Sequence, residues 1–220
     1  DRSDFQKAHG VSVCDNLDEV FKVEPDIVSI CSPSEFHFEQ TKACLEHEVP
    51  MIWLEKPPTM TLRQLDELLA GAPGATVLVN YMRRYSSRYA KLKAIYRDKL
   101  LGKPVGVSVS YSRGLELNGS HFLDFIFSTI GDEAQFEVVC DTSEKKSANP
   151  SFLLKFADEL TVSVSGFDVP YHINDVVLTC EGGRASVLSG GLESRIELKA
   201  ENERHAGFHR LKETESNLLG

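Results

Sequence analysis

Apolar and polar stretches alternate along the first 80 positions in a pattern that predicts strands and helices in turn. Three short apolar runs have the length of buried parallel strands; they lie at residues 26–31, 50–54 and 76–81. Amphipathic stretches lie before and between them and predict helices at residues 1–9, 16–23, 35–48 and 61–69. This alternation is typical of βαβ units with a parallel sheet, which binds ligands near the carboxyl ends of its strands.

From Tyr81 onward, stretches in which apolar and polar residues alternate become more frequent than helical stretches. Helices are predicted at residues 86–101 and 121–130. Alternating stretches predict strands at residues 105–110, 135–140, 151–157, 159–166, 174–180 and 192–199. Such a series, with turn residues between its members, favours a mostly antiparallel sheet carrying one or two helices. We therefore predict two domains, residues 1–80 and 81–220. The polar tail of the second domain, at 201–219, is predicted to be a loop.

Composition narrows the function classes. The net charge of −9 disfavours nucleic acid as a partner, because neutralising phosphates needs a basic surface. No apolar run approaches the roughly 20 residues that span a bilayer, and no leader pattern is found, so we expect no membrane partner and a cytoplasmic protein. The five cysteines are scattered without a C-x-x-C pair, which predicts reduced, mostly buried thiols rather than zinc ligands.

Chemically distinctive residues follow the predicted strands. The segment from Ser32-Pro33 to His37 follows the first strand, and Glu55-Lys56-Pro57 follows the second. An ammonium at the end of a buried strand can donate a hydrogen bond to a substrate hydroxyl. His121 begins the long helix of the second half, and a histidine is suited to general-base chemistry near neutral pH.

These motifs, together with Tyr81-Met82-Arg83-Arg84-Tyr85, resemble the Gfo/Idh/MocA oxidoreductases, and the resemblance runs from about residue 1 to residue 200. It implies a Rossmann-type parallel-sheet domain that binds NAD or NADP, then an α+β domain with an open, mostly antiparallel sheet. It also implies hydride transfer between nicotinamide and a secondary alcohol of a sugar, sugar nucleotide or cyclitol. The open sheet would form a subunit interface, in a homodimer or homotetramer.

The resemblance assigns roles to individual residues. Lys56 and His121 are the expected catalytic residues. The expected cofactor contacts are Ser32, Pro33, His37, Glu55 and Lys56. The expected substrate contacts are Arg83, Asn118 and His121.

Two departures from the family pattern keep alternatives open. No G-x-G-x-x-G occurs in these 220 residues, so we expect a truncated Rossmann domain whose glycine loop precedes residue 1. Leu117 stands where the family usually places an aspartate, four residues before His121. A non-catalytic, nucleotide-sensing or regulatory member of the same fold is therefore one alternative. The other is an NAD-independent enzyme that uses His121 and Asp124.

Overall fold

The computed structural model describes residues 2–71, 74–131, 135–141, 147–157 and 159–214. The chain divides into two compact units, residues 1–80 and 81–220. Among the described residues, no helix has the length and apolar character needed to cross a bilayer.

The first unit contains a parallel sheet of three short strands in the order β1-β2-β3. The strands are β1 (Ile27–Ile30), β2 (Met51–Leu54) and β3 (Thr76–Val79). The helices are α1 (Arg2–His9), α2 (Leu17–Phe21), α3 (His37–Glu46) and α4 (Leu62–Ala70). Apolar side chains of β1, β2, α2 and α3 form its core with Val49. The predicted parallel βαβ arrangement is confirmed, with each strand shorter than its apolar run.

Side-chain caps fix where two of these helices begin. Asn16 Oδ1 accepts a hydrogen bond from the backbone N–H of Glu19 at 3.0 Å, and the Glu19 carboxylate in return accepts one from the backbone N–H of Asp15 at 3.0 Å. Thr61 Oγ1 accepts one from the backbone N–H of Gln64 at 3.3 Å. Such bonds satisfy amide groups that a helix start leaves without an intrahelical partner. The predicted helix starts near residues 16 and 61 are therefore confirmed.

The second unit is built on one large sheet with the strand order β11-β10-β9-β8-β4-β7-β6-β5. Its neighbours pair antiparallel except β4 and β7, which pair parallel. Two helices, α5 (Ser87–Arg97) and α6 (Ser120–Ile130), accompany it. The strands are β4 (Pro104–Ser112), β5 (Phe136–Asp141), β6 (Phe152–Phe156), β7 (Thr161–Phe167), β8 (Asn174–Cys180), β9 (Gly183–Leu188), β10 (Glu193–Glu201) and β11 (His209–Glu213).

The helices cover one face of this sheet. Tyr111, Phe122, Val162 and Val176 are each 0% exposed and belong to one core cluster that joins both helices to the central strands. Residues alternate in direction along a strand, so the intervening positions lie on the opposite face. There the hydroxyls of Ser108 and Ser163 lie 3.2 Å apart and are exposed. The sheet is therefore covered on one side and open on the other, as predicted.

Two strands of this sheet were not predicted. Strand β9 begins at Gly183, directly after a two-residue turn, and a Cβ there would lie 2.3 Å from the backbone oxygen of Glu197. In the sequence, Gly182-Gly183 is typical of a turn. In the structure, Gly183 lies in the strand because the backbone of β10 approaches it closely. The prediction of a loop over 201–219 is wrong for β11, whose five residues are all exposed. Backbone pairing with β10 forms this strand, so its side chains show no alternation; residues 215–219 lie outside the described part.

The cysteines are less uniformly buried than predicted. Cys44 and Cys180 are buried, Cys14 is half-buried and Cys31 is exposed; the side chain of Cys140 lies outside the described residues. Burial raises the pKa of the Cys44 thiol to about 11. No cluster of three His, Cys, Asp or Glu side chains suited to a metal ion occurs within the described ranges.

The core of the second unit can be tested with a matched pair of leucines. Leu178 is 2% exposed, whereas Leu192 is 77% exposed. We expect Leu178→Ala to lower the free energy of unfolding by about 2–5 kcal/mol, because it leaves a cavity beneath the helices. Leu192→Ala should change it by less than about 0.5 kcal/mol. Urea unfolding followed by circular dichroism measures both, and equal losses would contradict the described core.

Candidate active site

The turn after β1 is held by short local hydrogen bonds. Ser32 Oγ donates to Gln40 Oε1 of α3 at 2.6 Å, and the backbone N–H of Phe36 donates to the carbonyl of Pro33 at 3.0 Å. Ser32 and Pro33, both predicted cofactor contacts, therefore lie in an ordered turn at the carboxyl end of a parallel strand. This is the end of the sheet at which ligands bind in such folds.

His37, the first residue of α3, is buried to 1% exposure. Its Nδ1 lies 2.7 Å from the carbonyl oxygen of Pro57, and its Nε2 lies 2.8 Å from the carbonyl oxygen of Ser32. Both ring nitrogens are thus engaged by the backbone of the same unit. The sequence predicted a cofactor contact at His37 and did not predict this bridge.

The Glu55-Lys56-Pro57 segment leaves the sheet at the end of β2. The backbone N–H of Glu55 donates to the carbonyl of Ile30 at 3.0 Å, which extends the β1–β2 pairing by one residue. The Glu55 side chain accepts a hydrogen bond of 2.6 Å from Asn80 Nδ2, at the end of β3. Lys56, the predicted catalytic residue, is half-buried in this turn.

Asn80 is a candidate site residue that no sequence motif indicates. The backbone N–H of Asn80 donates to the carbonyl of Leu54 at 2.8 Å, so its amide side chain stands beside the β2 turn. The sequence feature that points to Asn80 is its position one residue beyond β3, at the same sheet edge as Glu55. The turn that carries Lys56 is therefore braced from both neighbouring strands.

In the second unit, His121 lies in the first turn of α6 and is 9% exposed. The ring of Tyr81 packs edge-on against it, with centroids 5.7 Å apart. Burial, and secondarily the charge of Asp124, raises the pKa of the Tyr81 hydroxyl, while Arg84 opposes the shift. The candidate base thus lies against a tyrosine that keeps its proton.

Asp124 lies one helical turn after His121 and forms an ion pair with Arg84. The guanidinium donates three hydrogen bonds of 2.7–2.9 Å to the two carboxylate oxygens. The Asp124 side chain is 8% exposed. The structure therefore gives the Asp124 carboxylate a partner in Arg84.

Asn118 lies in a π-helical turn, Leu115–Gly119, directly before α6. Its Nδ2 donates to the carbonyl of Ser112 at 2.9 Å, which fixes the amide group. A Cβ at Gly119 would lie 2.6 Å from the Leu115 side chain and 3.1 Å from the Tyr111 ring, so a larger residue there would have to displace both side chains. Leu117, in the same turn, is 62% exposed.

Arg83 is a buried cation with neutral hydrogen-bond partners. It is 8% exposed, and its guanidinium carbon lies 4.1 Å from the centroid of the Phe122 ring. Its acceptors are the Tyr89 hydroxyl at 3.2 Å, Asn174 Oδ1 at 3.2 Å and the Asn118 carbonyl at 3.5 Å. Burial lowers the pKa of the guanidinium, and Tyr89 opposes this. Arg83 therefore braces the segment that carries Asn118 and His121, a task distinct from the predicted substrate contact.

Comparison with known proteins finds a family model that matches the first part of the chain. Residues 2–81 match the family model GFO_IDH_MocA, described as "Oxidoreductase family, NAD-binding Rossmann fold". An inositol 2-dehydrogenase of Mycolicibacterium gilvum is 28% identical over 177 residues, which cover 74% of this chain and 50% of that protein. A D-glucoside 3-dehydrogenase of Escherichia coli is 32% identical over 99 residues, covering 44% of this chain and 27% of that protein.

Solved structures share the fold. A structure of an inositol dehydrogenase homologue from Azotobacter vinelandii, complexed with NADH and myo-inositol, matches with a TM-score of 0.77 and 17% identity. The match covers 96% of this chain and 64% of that one. A dehydrogenase (MviM) from Clostridium difficile matches with a TM-score of 0.76 and 18% identity, covering 97% and 70%. At these identities the likeness shows the fold alone.

The match of residues 2–81 to the Gfo/Idh/MocA oxidoreductase model confirms, for that segment, the resemblance drawn from its motifs. The predicted Rossmann-type domain is confirmed by this match and by the parallel sheet of the first unit. The chain spans half, or less, of the length of the curated relatives described above.

The pairing of Arg84 with Asp124 yields a stability test. Arg84→Met should lower the free energy of unfolding by about 1–3 kcal/mol, because the poorly exposed Asp124 carboxylate loses three hydrogen bonds. Arg210→Met is the control, since its partner Glu203 has a side chain that is 82% exposed. Exposed pairs of that kind contribute about 0–1 kcal/mol. Similar small losses for both variants in denaturant titrations would contradict a structural role for the Arg84 pair.

Proposed function

We propose that this protein is an NAD(P)-dependent oxidoreductase that transfers a hydride between nicotinamide and a secondary alcohol of a sugar, sugar nucleotide or cyclitol. One observation carries the proposal. The turns that hold Ser32 and Lys56 are bonded together at the carboxyl edge of a parallel sheet, within a segment that matches an NAD-binding family. Relatives named as inositol and glucoside dehydrogenases support a polyol substrate.

The residues at this edge fit a nicotinamide cofactor. Ser32 and Pro33 would contact the adenosine and ribose side, and Glu55 and Lys56 the nicotinamide side. The fit rests on fixed polar groups at the ligand-binding end of the strands, with the Glu55 carboxylate already held by Asn80 at 2.6 Å. When bound, nicotinamide would supply the hydride acceptor or donor at its ring carbon.

The protein's own groups would manage the alcohol proton. In the oxidation direction, the Lys56 ammonium would donate a hydrogen bond to a substrate hydroxyl. The His121 imidazole is the proposed general base for the alcohol proton. The Asn118 carboxamide, fixed by Ser112, would orient a further hydroxyl. We propose that Arg83 contributes to substrate binding chiefly by holding Asn118 in place.

A second candidate function is a non-catalytic, nucleotide-sensing member of the same fold. Leu117 favours it, because a 62% exposed apolar side chain stands where the family usually places an aspartate. Nicotinamide binding by fluorescence titration, combined with a dehydrogenase screen over sugars and cyclitols, separates the candidates. Binding with turnover supports the enzyme. Binding without turnover of any polyol supports the sensor.

Lys56→Ala tests the proposed contact at the strand end. We expect turnover to fall far below a tenth of the wild-type rate, to a small residual rate. The fold and the affinity for NAD(H) or NADP(H) should stay close to wild type, because Lys56 acts mainly on substrate. Lys42→Ala is the control, since Lys42 forms an exposed ion pair with Glu67 at 2.7 Å in the same unit. Retention of more than about a tenth of wild-type turnover, a loss under about 1.4 kcal/mol, would remove Lys56 from the reaction.

His121→Ala and Leu117→Asp test the proposed base. A base works in its unprotonated form, so turnover should fall as the pH drops, and His121→Ala should cost roughly 10²–10⁴-fold in rate. A carboxylate at position 117 favours the protonated imidazole and should move the acidic limb of the pH–rate profile to higher pH. An unchanged acidic limb at near wild-type rate in His121→Ala would exclude His121 as the base.

The open sheet face supports a proposal about assembly. We propose that the protein self-associates through the face that carries Ser108 and Ser163, as a homodimer or homotetramer, because the helices cover only the other face. Light scattering should give a multiple of the chain mass, and Ser108→Arg should shift it toward the monomer by placing a charge on that face. A monomeric wild-type mass at micromolar concentration would contradict the proposal.

A further inference from the structure

The His37 imidazole joins two turns that are distant in sequence. Ser32 precedes it by five residues, at the end of β1, and Pro57 follows it by 20, after β2. Carbonyl oxygens only accept hydrogen bonds, so a ring N–H of His37 donates to the carbonyl that faces it, and the second ring nitrogen lies against the other carbonyl. Both distances, 2.7 and 2.8 Å, are those of well-formed bonds.

The burial of the His37 ring argues against a direct contact between this ring and a cofactor. His37 is 1% exposed, and each ring nitrogen already has a backbone partner. A cofactor atom could bond the ring only by displacing one of the two carbonyls. The other polar bond at this junction, from Ser32 Oγ to Gln40, also holds the first turn to α3.

We propose that His37 is a positioning residue: its imidazole clasps the Ser32-Pro33 turn to the Lys56-Pro57 turn and thereby fixes Lys56 at the carboxyl edge of the sheet. The effect on the reaction rests on the proposed function, whereas the clasp itself does not. Pro57 is the direct neighbour of Lys56, so a hydrogen bond to the Pro57 carbonyl also restricts the position of the Lys56 backbone. Small displacements of a reacting group cost rate steeply, on the order of 10²-fold per ångström.

The clasp is tested first without cofactor or turnover. Hydrogen–deuterium exchange of the full chain should be at least about tenfold faster in His37→Phe at residues 31–36 and 55–60, with the rest of the first unit unchanged. His47→Phe is the control, because His47 lies at the end of the same helix, is exposed and bonds the carbonyl of Ala43 alone at 2.9 Å. Unchanged exchange in both segments would overturn the clasp.

A second variant guards against a folding failure of His37→Phe. His37→Gln keeps one amide nitrogen, which reaches a single carbonyl, so only one of the two segments should exchange faster. If both segments keep wild-type exchange in His37→Gln, the clasp is overturned by this route also. Thermal melting of each variant confirms that the unit is folded before exchange is measured.

A double-mutant cycle with Lys56→Ala tests whether His37 acts through Lys56. We expect His37→Phe to lower kcat about 10–100-fold in the wild-type background, and to change the residual rate less than about twofold when Lys56 is already alanine. A full loss in both backgrounds, with weakened cofactor binding, would show a direct cofactor contact and overturn the positioning role. If the wild-type protein turns over no polyol, the proposed function fails, and hydrogen exchange still decides the clasp.

Discussion

The arrangement of candidate residues in the first unit depends on one constraint, which is that its three parallel strands end at the same edge of the sheet. In a parallel sheet every strand delivers its carboxyl end to the same edge, and the backbone groups there no longer have strand partners. Here that edge is closed by polar bonds from His37 to two carbonyls and from Asn80 to Glu55. The hydrophobic core beneath these turns contains Ile52 and Leu54, which are both 0% exposed.

The second unit solves a different problem with a one-sided sheet. Its central strands bury alternate residues against α5 and α6, which leaves hydroxyl-bearing residues on the open face. The cost of burying the Arg83 cation is offset by stacking on Phe122 and by three neutral acceptors, rather than by a carboxylate. This buried junction ties the start of α5 to the π-helical turn that carries Asn118, immediately before His121.

The candidate residues of the two units were found by different signals. Ser32 and Lys56 follow apolar strands in recognisable motifs, so the sequence located them. Asn80 carries no motif, and its bond to Glu55 spans 25 residues of sequence. Arg84 and Asp124, 40 residues apart, likewise meet only because the segment before α5 packs against α6. Sequence spacing predicts neighbours within a helix, but not across such distances.

The sequence by itself determined the alternation of strand and helix in the first unit and the motifs that resemble the family matched by residues 2–81. These features depend on local periodicity and short motifs, which a single chain displays directly. Tertiary structure alone decided that His37 faces two carbonyls, and that Arg83 is buried among neutral partners. It alone decided that β11 is a strand, since its fully exposed residues pair through their backbone. Those outcomes depend on which distant backbone groups approach one another, and side-chain pattern does not encode that approach.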